Sequence, residues 1–186
     1  MSARRLLLAV PAIAALALAA CSTPTPYQPL GAGGRSGGGY ASQQLAPNRY
    51  RVMFAGNSLT SRERVETYLL FRAAELTLER GYDGFTIVDR VTDRNVETRV
   101  YSDPFGPSRY GWWRPSWRYY GGSGWRSWDP WYGDPFWANN IDVRTIQRFE
   151  AHAEVYMFHG APRDPERSFN AREIVTSLGP SLQLPR

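Results

Sequence analysis

The stretch RYRVMFAGNSLTSRERVETYLLFRAAELTLERGYDGFTIVDR, residues 49–90, decides the fold. Its middle is built as one long helix. Val65, Tyr68, Leu69, Ala73 and Leu76 recur at three- and four-residue intervals and fall on one side. Leu70, Phe71, Ala74 and Leu78 widen that apolar surface, so the helix needs cover on more than one side. Thr60 and Glu63 have the spacing of a capping box, and Gly81 supplies the left-handed residue that ends a helix. The pattern predicts a helix over 61–80. YRVMFA (50–55) before it and GFTIVDRV (84–91) after it are rich in apolar and aromatic residues and read as strands. Strand, long helix, strand predicts a right-handed crossover.

Working outward, NVETRVY (95–101) alternates and extends or follows the second strand. Residues 142–159 form the longest strand-like tract. Within it Ala151, Ala153, Val155 and Met157 face one way, and His152, Glu154, Tyr156 and Phe158 the other. A last helix starts at Asn170, with Glu173 as capping partner, and stops at Gly179-Pro180. These elements predict an α+β domain over 49–186: a small β-sheet, one long helix packed on it and a short C-terminal helix.

An aromatic insert interrupts the domain at about 102–140. It holds all seven tryptophans: Trp112, Trp113, Trp117, Trp125, Trp128, Trp131 and Trp137. Glycine, proline and arginine fill the gaps, with no clean period of two or 3.6. Three readings of the insert stand side by side. It is a loosely packed, low-complexity loop. It is a ligand surface whose rings stack on sugars of the cell wall. It is a contact for an envelope protein or the bilayer interface, where Trp, Tyr and Arg are favoured.

The chain opens MSARRLLLAVPAIAALALAAC, with a basic start, an apolar run from Leu6 to Leu18 and small residues ahead of Cys21. This is the three-part pattern of an export signal over residues 1–20. The run is shorter than the ~20 residues of a comfortable membrane span. Leu18-Ala19-Ala20-Cys21 resembles the lipobox of bacterial lipoproteins. The resemblance implies a diacylglycerol on the Cys21 thiol, cleavage before Cys21, and an acyl chain such as palmitate on the new terminus. Ser22 in place of Asp implies the outer membrane. A secreted protein with a chance cysteine and an uncleaved anchor are the competing readings. Residues 22–48 are rich in Pro, Gly and Ser, and 21–48 reads as the acylated cysteine and a flexible tether. Such a tether reaches ~90 Å at full extension and about 30 Å typically.

Charge and composition exclude several classes. The 22 basic residues are all arginine, against 17 acidic ones. Losing Arg4 and Arg5 with the leader leaves 20 against 17, or +3. That interspersed excess lacks the clustered footprint of a nucleic-acid binder. One cysteine allows no disulfide within the chain. His152 and His159, seven apart on one strand, would fall on opposite faces, which argues against a shared metal or catalytic centre. Ser58 in FAGNS lacks the flanking glycines of a nucleophile elbow and reads as a turn residue. Gly31–Gly39 lacks phosphate-binding spacing. Glu63, Glu66, Glu75 and Glu79 with Arg62, Arg72 and Arg80 read as a solvated helix face. No cofactor, metal site or catalytic constellation is read from the sequence.

GNSLTSRE, YLLFRAAELT, GYDGFTIVDR and AREIVTSLGP, together with the lipobox, resemble an uncharacterised family of small alphaproteobacterial envelope lipoproteins. The likeness covers the two ends of the mature domain and leaves out the insert. It implies a lipid-anchored protein facing the periplasm, with a small α+β fold and no assigned activity. The expectation is a non-enzymatic binding or assembly module. It is held to the membrane through lipid on Cys21 and contacts cell wall or an envelope protein through its tryptophans. The alternative is an envelope hydrolase with an unidentified site.

Overall fold

A computed structural model describes residues 23–32, 38–88, 108–121, 124–128, 146–162 and 164–185. The signal, Cys21, the NVETRVY tract, Trp131 and Trp137 lie outside the described residues. The fold is α+β, as expected. Its elements are β1 (Gly39–Ala46), β2 (Arg49–Ala55), α1 (Arg62–Glu79), β3 (Gly84–Ile87), β4 (Ser116–Gly121), β5 (Gly124–Trp128), β6 (Ile146–Phe158), β7 (Ser168–Asn170) and α2 (Ala171–Leu178).

Among the described residues these strands form one antiparallel sheet centred on β6. Strand β2 pairs along one flank of β6, Arg49 opposite Tyr156 and Ala55 opposite Glu150. The other flank is shared. Strand β4 takes its first half, with Trp117 opposite Ala151. Strand β3 takes its second half, with Phe85 opposite Met157. The chain leaves β3 at Val88, whose N–H donates to the Glu154 carbonyl at 2.7 Å. It rejoins the same line at Ser116, opposite His152. The aromatic insert is therefore an excursion from one strand line, and its return adds the β4–β5 hairpin to the sheet.

The alternation read in β6 holds on the inner face: Ala151, Ala153, Val155 and Met157 are buried. Two alanines leave room for the bulky side of α1, which crosses β2, β6 and β3 and carries α2 on its flank. Val65, Leu69, Leu70, Ala73 and Ala74 are fully buried there, with Val52, Phe54 and Phe85 from the sheet. Helix α1 begins one residue later than the capping-box reading. Ser61, not Thr60, is the cap, and its hydroxyl accepts from the Arg64 N–H at 3.3 Å. Gly81 ends the helix with a φ of +81°. Asn170 caps α2 as expected, its Oδ1 accepting from Arg172 at 3.0 Å and Glu173 at 3.2 Å. The expected solvated helix face is only partly so: Glu66 and Arg72 are buried. Glu66 pairs with Arg62 at 3.2 Å and accepts from the Ser108 hydroxyl.

The folded unit starts earlier than residue 49. Part of the stretch read as tether, 23–32 and 38–48, packs on the domain. Strand β1 pairs with β2, Tyr40 opposite Phe54. Gly38 passes so close to β2 that a Cβ there would come within 1.9 Å of the Ala55 carbonyl oxygen. Thr25 is buried: its N–H donates to Thr60 Oγ1 at 2.8 Å, and its Oγ1 accepts from the Asn57 N–H at 2.8 Å. Asn57 Nδ2 donates to the Thr23 carbonyl at 2.7 Å. Tyr27 enters the core between Tyr40, Tyr68 and Phe71. Its hydroxyl donates to Glu75, which Arg72 also holds at 2.5 Å. Burial first, and the Glu75 carboxylate second, keep that hydroxyl protonated far above the ordinary phenol range.

Trp113 is fully buried, edge-on to Phe85 at 6.0 Å and to Phe169 at 5.8 Å. Trp113→Ala is expected to cost about 3–5 kcal/mol by urea denaturation, through lost burial and the cavity left behind. Trp113→Phe should cost clearly less. A cost of Trp113→Ala within the error of the wild type would remove Trp113 from the core.

Glu63 supplies a pH test. Its own backbone N–H, chiefly, and the Ser61 hydroxyl hold its carboxyl below the usual carboxylate range, against an opposing effect of burial. A lowered folded-state pKa contributes stability that is present above the unfolded value and lost as pH falls through the folded one. Stability measured from pH ~6 downward should therefore fall less steeply in Glu63→Gln than in the wild type.

Candidate binding face

The face of the sheet turned away from α1 carries the residues with chemistry. Register places Arg49, Arg51 and Met53 of β2 beside Glu150, His152, Glu154 and Tyr156 of β6. Strand β4 adds Arg118 opposite Glu150 and Tyr120 opposite Arg148. Strand β5 adds Trp125 opposite Tyr120. Every second residue of four neighbouring strands thus contributes to one face.

Two ionic groups order it. Glu154, 6% exposed at its side chain, receives Arg49 at 2.7 Å and Arg51 at 2.5 Å. Glu150 receives Arg118 at 3.2 Å. The Arg118 guanidinium lies 5.0 Å from the centre of the Trp125 ring, and that of Arg148 lies 5.9 Å from it. Tyr120 meets the same ring edge-on at 5.6 Å. Between β1, β2, β6 and β4 lies a shallow groove of about 390 Å³, lined by Gln43, Arg51, Met53, Arg118, Glu150 and His152. Such a groove, with arginines at its rim and Met53 in its lining, suits an acidic, partly apolar ligand.

The expected tryptophan contact surface is smaller than the sequence suggested. Trp113, Trp117 and Trp128 are buried in the core, Trp117 and Trp128 as a cross-strand pair of the hairpin. Aromatic density in this insert is in good part core material, because the hairpin must bury the inner side of a widened sheet. Trp125 is 40% exposed on the face just described. Trp112 is 37% exposed and is stacked by Arg167 at 4.4 Å and Arg114 at 5.7 Å. The five described tryptophans do not come together as one surface.

The histidines are separate. His152 lies on the outer face within β6. His159 lies beyond the end of that strand, stacked on Tyr82 at 4.5 Å and 3.7 Å from Asp83. Among the described residues no group of three or more His, Cys, Asp or Glu side chains is placed to hold a metal ion. Ser58 sits in the turn ahead of α1, whose hydrogen bonds run among Asn57, Leu59 and Thr60. The Arg–Glu pattern on the outer face escaped the sequence reading. Its only local signal was Glu154 on the polar side of the AHAEVYMFH alternation. No family model, curated protein or solved structure matches this chain.

Glu154 holds two guanidinium groups from inside the sheet. Glu154→Ala should cost about 1–3 kcal/mol in urea denaturation, the range for a buried charged hydrogen-bond acceptor. Disrupting the Arg167–Asp164 pair by Asp164→Ala, where both partners are half-exposed, should cost under ~1 kcal/mol. Equal costs would show that burial of Glu154 adds nothing.

Proposed function

We propose that this protein is a lipid-anchored bacterial envelope lipoprotein acting as a non-enzymatic binding module. The open sheet face is its contact with the cell wall. The anchoring half of the reading is supported by the export signal and the lipobox at Cys21. No described helix is long and apolar enough to cross a membrane. The binding half is carried by one observation: the groove on the outer sheet face, rimmed by Arg51 and Arg118. Cell-wall glycan with its peptide stems offers the matching chemistry. Carboxylates of the stems pair with guanidinium groups.

The mature protein should bind purified cell-wall sacculi saturably in a co-sedimentation assay. Arg118→Ala should weaken that binding about tenfold, the ~1.4 kcal/mol of one charge-assisted hydrogen bond. Circular dichroism checks that the variant is folded. Binding that is absent, or unaltered in both Arg118→Ala and Arg51→Ala, overturns the cell wall as partner and points to an envelope protein.

A further inference from the structure

The reach of the chain between Cys21 and the folded unit is far shorter than the tether reading allows. Thr23 is already held through its carbonyl by Asn57, and Thr25 is buried two residues on. Cys21 and Thr23 are two residues apart, so at most about 7 Å of chain separates them. A lipid on Cys21 would bring one particular end of the fold against the bilayer.

The pairings define that end. Asn57 follows Ala55, which stands opposite Glu150 near the start of β6. Two residues further out on β6, Arg148 stands opposite Tyr120, and Tyr120 stands opposite Trp125. Trp125 and Arg148 therefore lie about level with Asn57 and Thr23. Leu59, in the Asn57–Thr60 turn, is 47% exposed. Arg64, in the first turn of α1, has a neutral partner, the Gln183 side-chain oxygen at 2.9 Å. This end offers an exposed leucine, an exposed indole and two guanidinium groups.

We propose that this end, with Leu59 at its tip and Trp125, Arg148 and Arg64 around it, seats on the headgroup layer of an anionic phospholipid bilayer. The inference rests on the lipoprotein reading above. Leucine inserts among acyl chains, the indole favours the headgroup zone, and the arginines pair with phosphates. The strands then stand on the membrane, with the groove opening sideways above it.

One property of the chain makes the test clean. Cys21 is its only cysteine, so acylation leaves no free thiol. Leu59→Cys and, just past the opposite end of β6, Ala161→Cys are made in the full chain with its signal, and each is labelled with an environment-sensitive NBD dye. The purified proteins are reconstituted into phosphatidylcholine vesicles containing phosphatidylglycerol, and mass spectrometry reads the state of Cys21. The expected result is an acylated Cys21, a blue shift and about twofold brighter emission at position 59, and water-like emission at 161. An acylated, vesicle-bound protein whose label at 59 stays water-like, or whose two labels shift alike, overturns the docking and leaves the lipoprotein reading intact. An unmodified Cys21 overturns the lipoprotein reading. The same labels in a Cys21→Ser chain mixed with vesicles then decide the docking alone: a shift confined to 59 supports it, and no shift overturns it.

Discussion

The fold depends on one strand having neighbours on both flanks along most of its length. β6 is 13 residues long, more than twice a typical strand, and four other elements take their position from it. Its inner side is small in the middle, Ala151 and Ala153, and larger beyond, Val155 and Met157. That gradient seats α1 close to the sheet where β2 and β6 run together. Its outer side is polar and holds the arginines of β2 and β4 through Glu154 and Glu150. One alternating tract therefore fixes both the hydrophobic packing and the charged face. A one-residue slip of β6 would exchange them.

The shared flank of β6 explains how a small domain carries so long an insert. An insertion inside a strand normally destroys the strand. Here β3 stops after Ile87, the chain departs, and β4 resumes the line opposite His152. The ladder is kept on both sides of the break. The excursion leaves Trp113 edge-on against the stacked rings of Phe85 and Phe169. The insert is thus anchored in the core by Trp113, Trp117 and Trp128 and in the sheet by its hairpin.

What was legible in the sequence follows from how local each signal is. Helix α1, strand β2, the inner side of β6 and the Asn170 cap all rest on spacing within a dozen residues, and all four stand in the structure. The places of Tyr27 and β1 rest on contacts with partners far along the chain. Tyr27 meets Tyr68 and Phe71, and an edge strand with one neighbour needs little apolar period of its own. Proline and glycine there mark a chain threading close to β2, as at Gly38, and not only a loose one. The cap shifted from Thr60 to Ser61 because Thr60 is already committed to Thr25 and Asn57. The outer-face arginines became a site only once register set β2, β4 and β6 side by side.

The absence of lysine finds its physical sense in the same geometry. A guanidinium group is planar and lies flat on an aromatic ring, which an ammonium group does less well. Arg72 over Tyr40 at 4.7 Å, Arg80 over Tyr50 at 5.4 Å and Arg62 over Trp117 at 5.5 Å each cover a ring of the core or its margin. Arg72 also bridges Glu75 and Glu79 while its plane covers Tyr40. Much of the basic excess is therefore structural material between the helix, the sheet and the aromatic residues. This reconciles a basic composition with an outer face whose arginines are largely balanced by glutamates. On that face, among the described residues, Glu154 receives Arg49 and Arg51, Glu150 receives Arg118, and Arg118 and Arg148 both lie over Trp125. Two guanidinium groups thus flank the most exposed indole among the described residues.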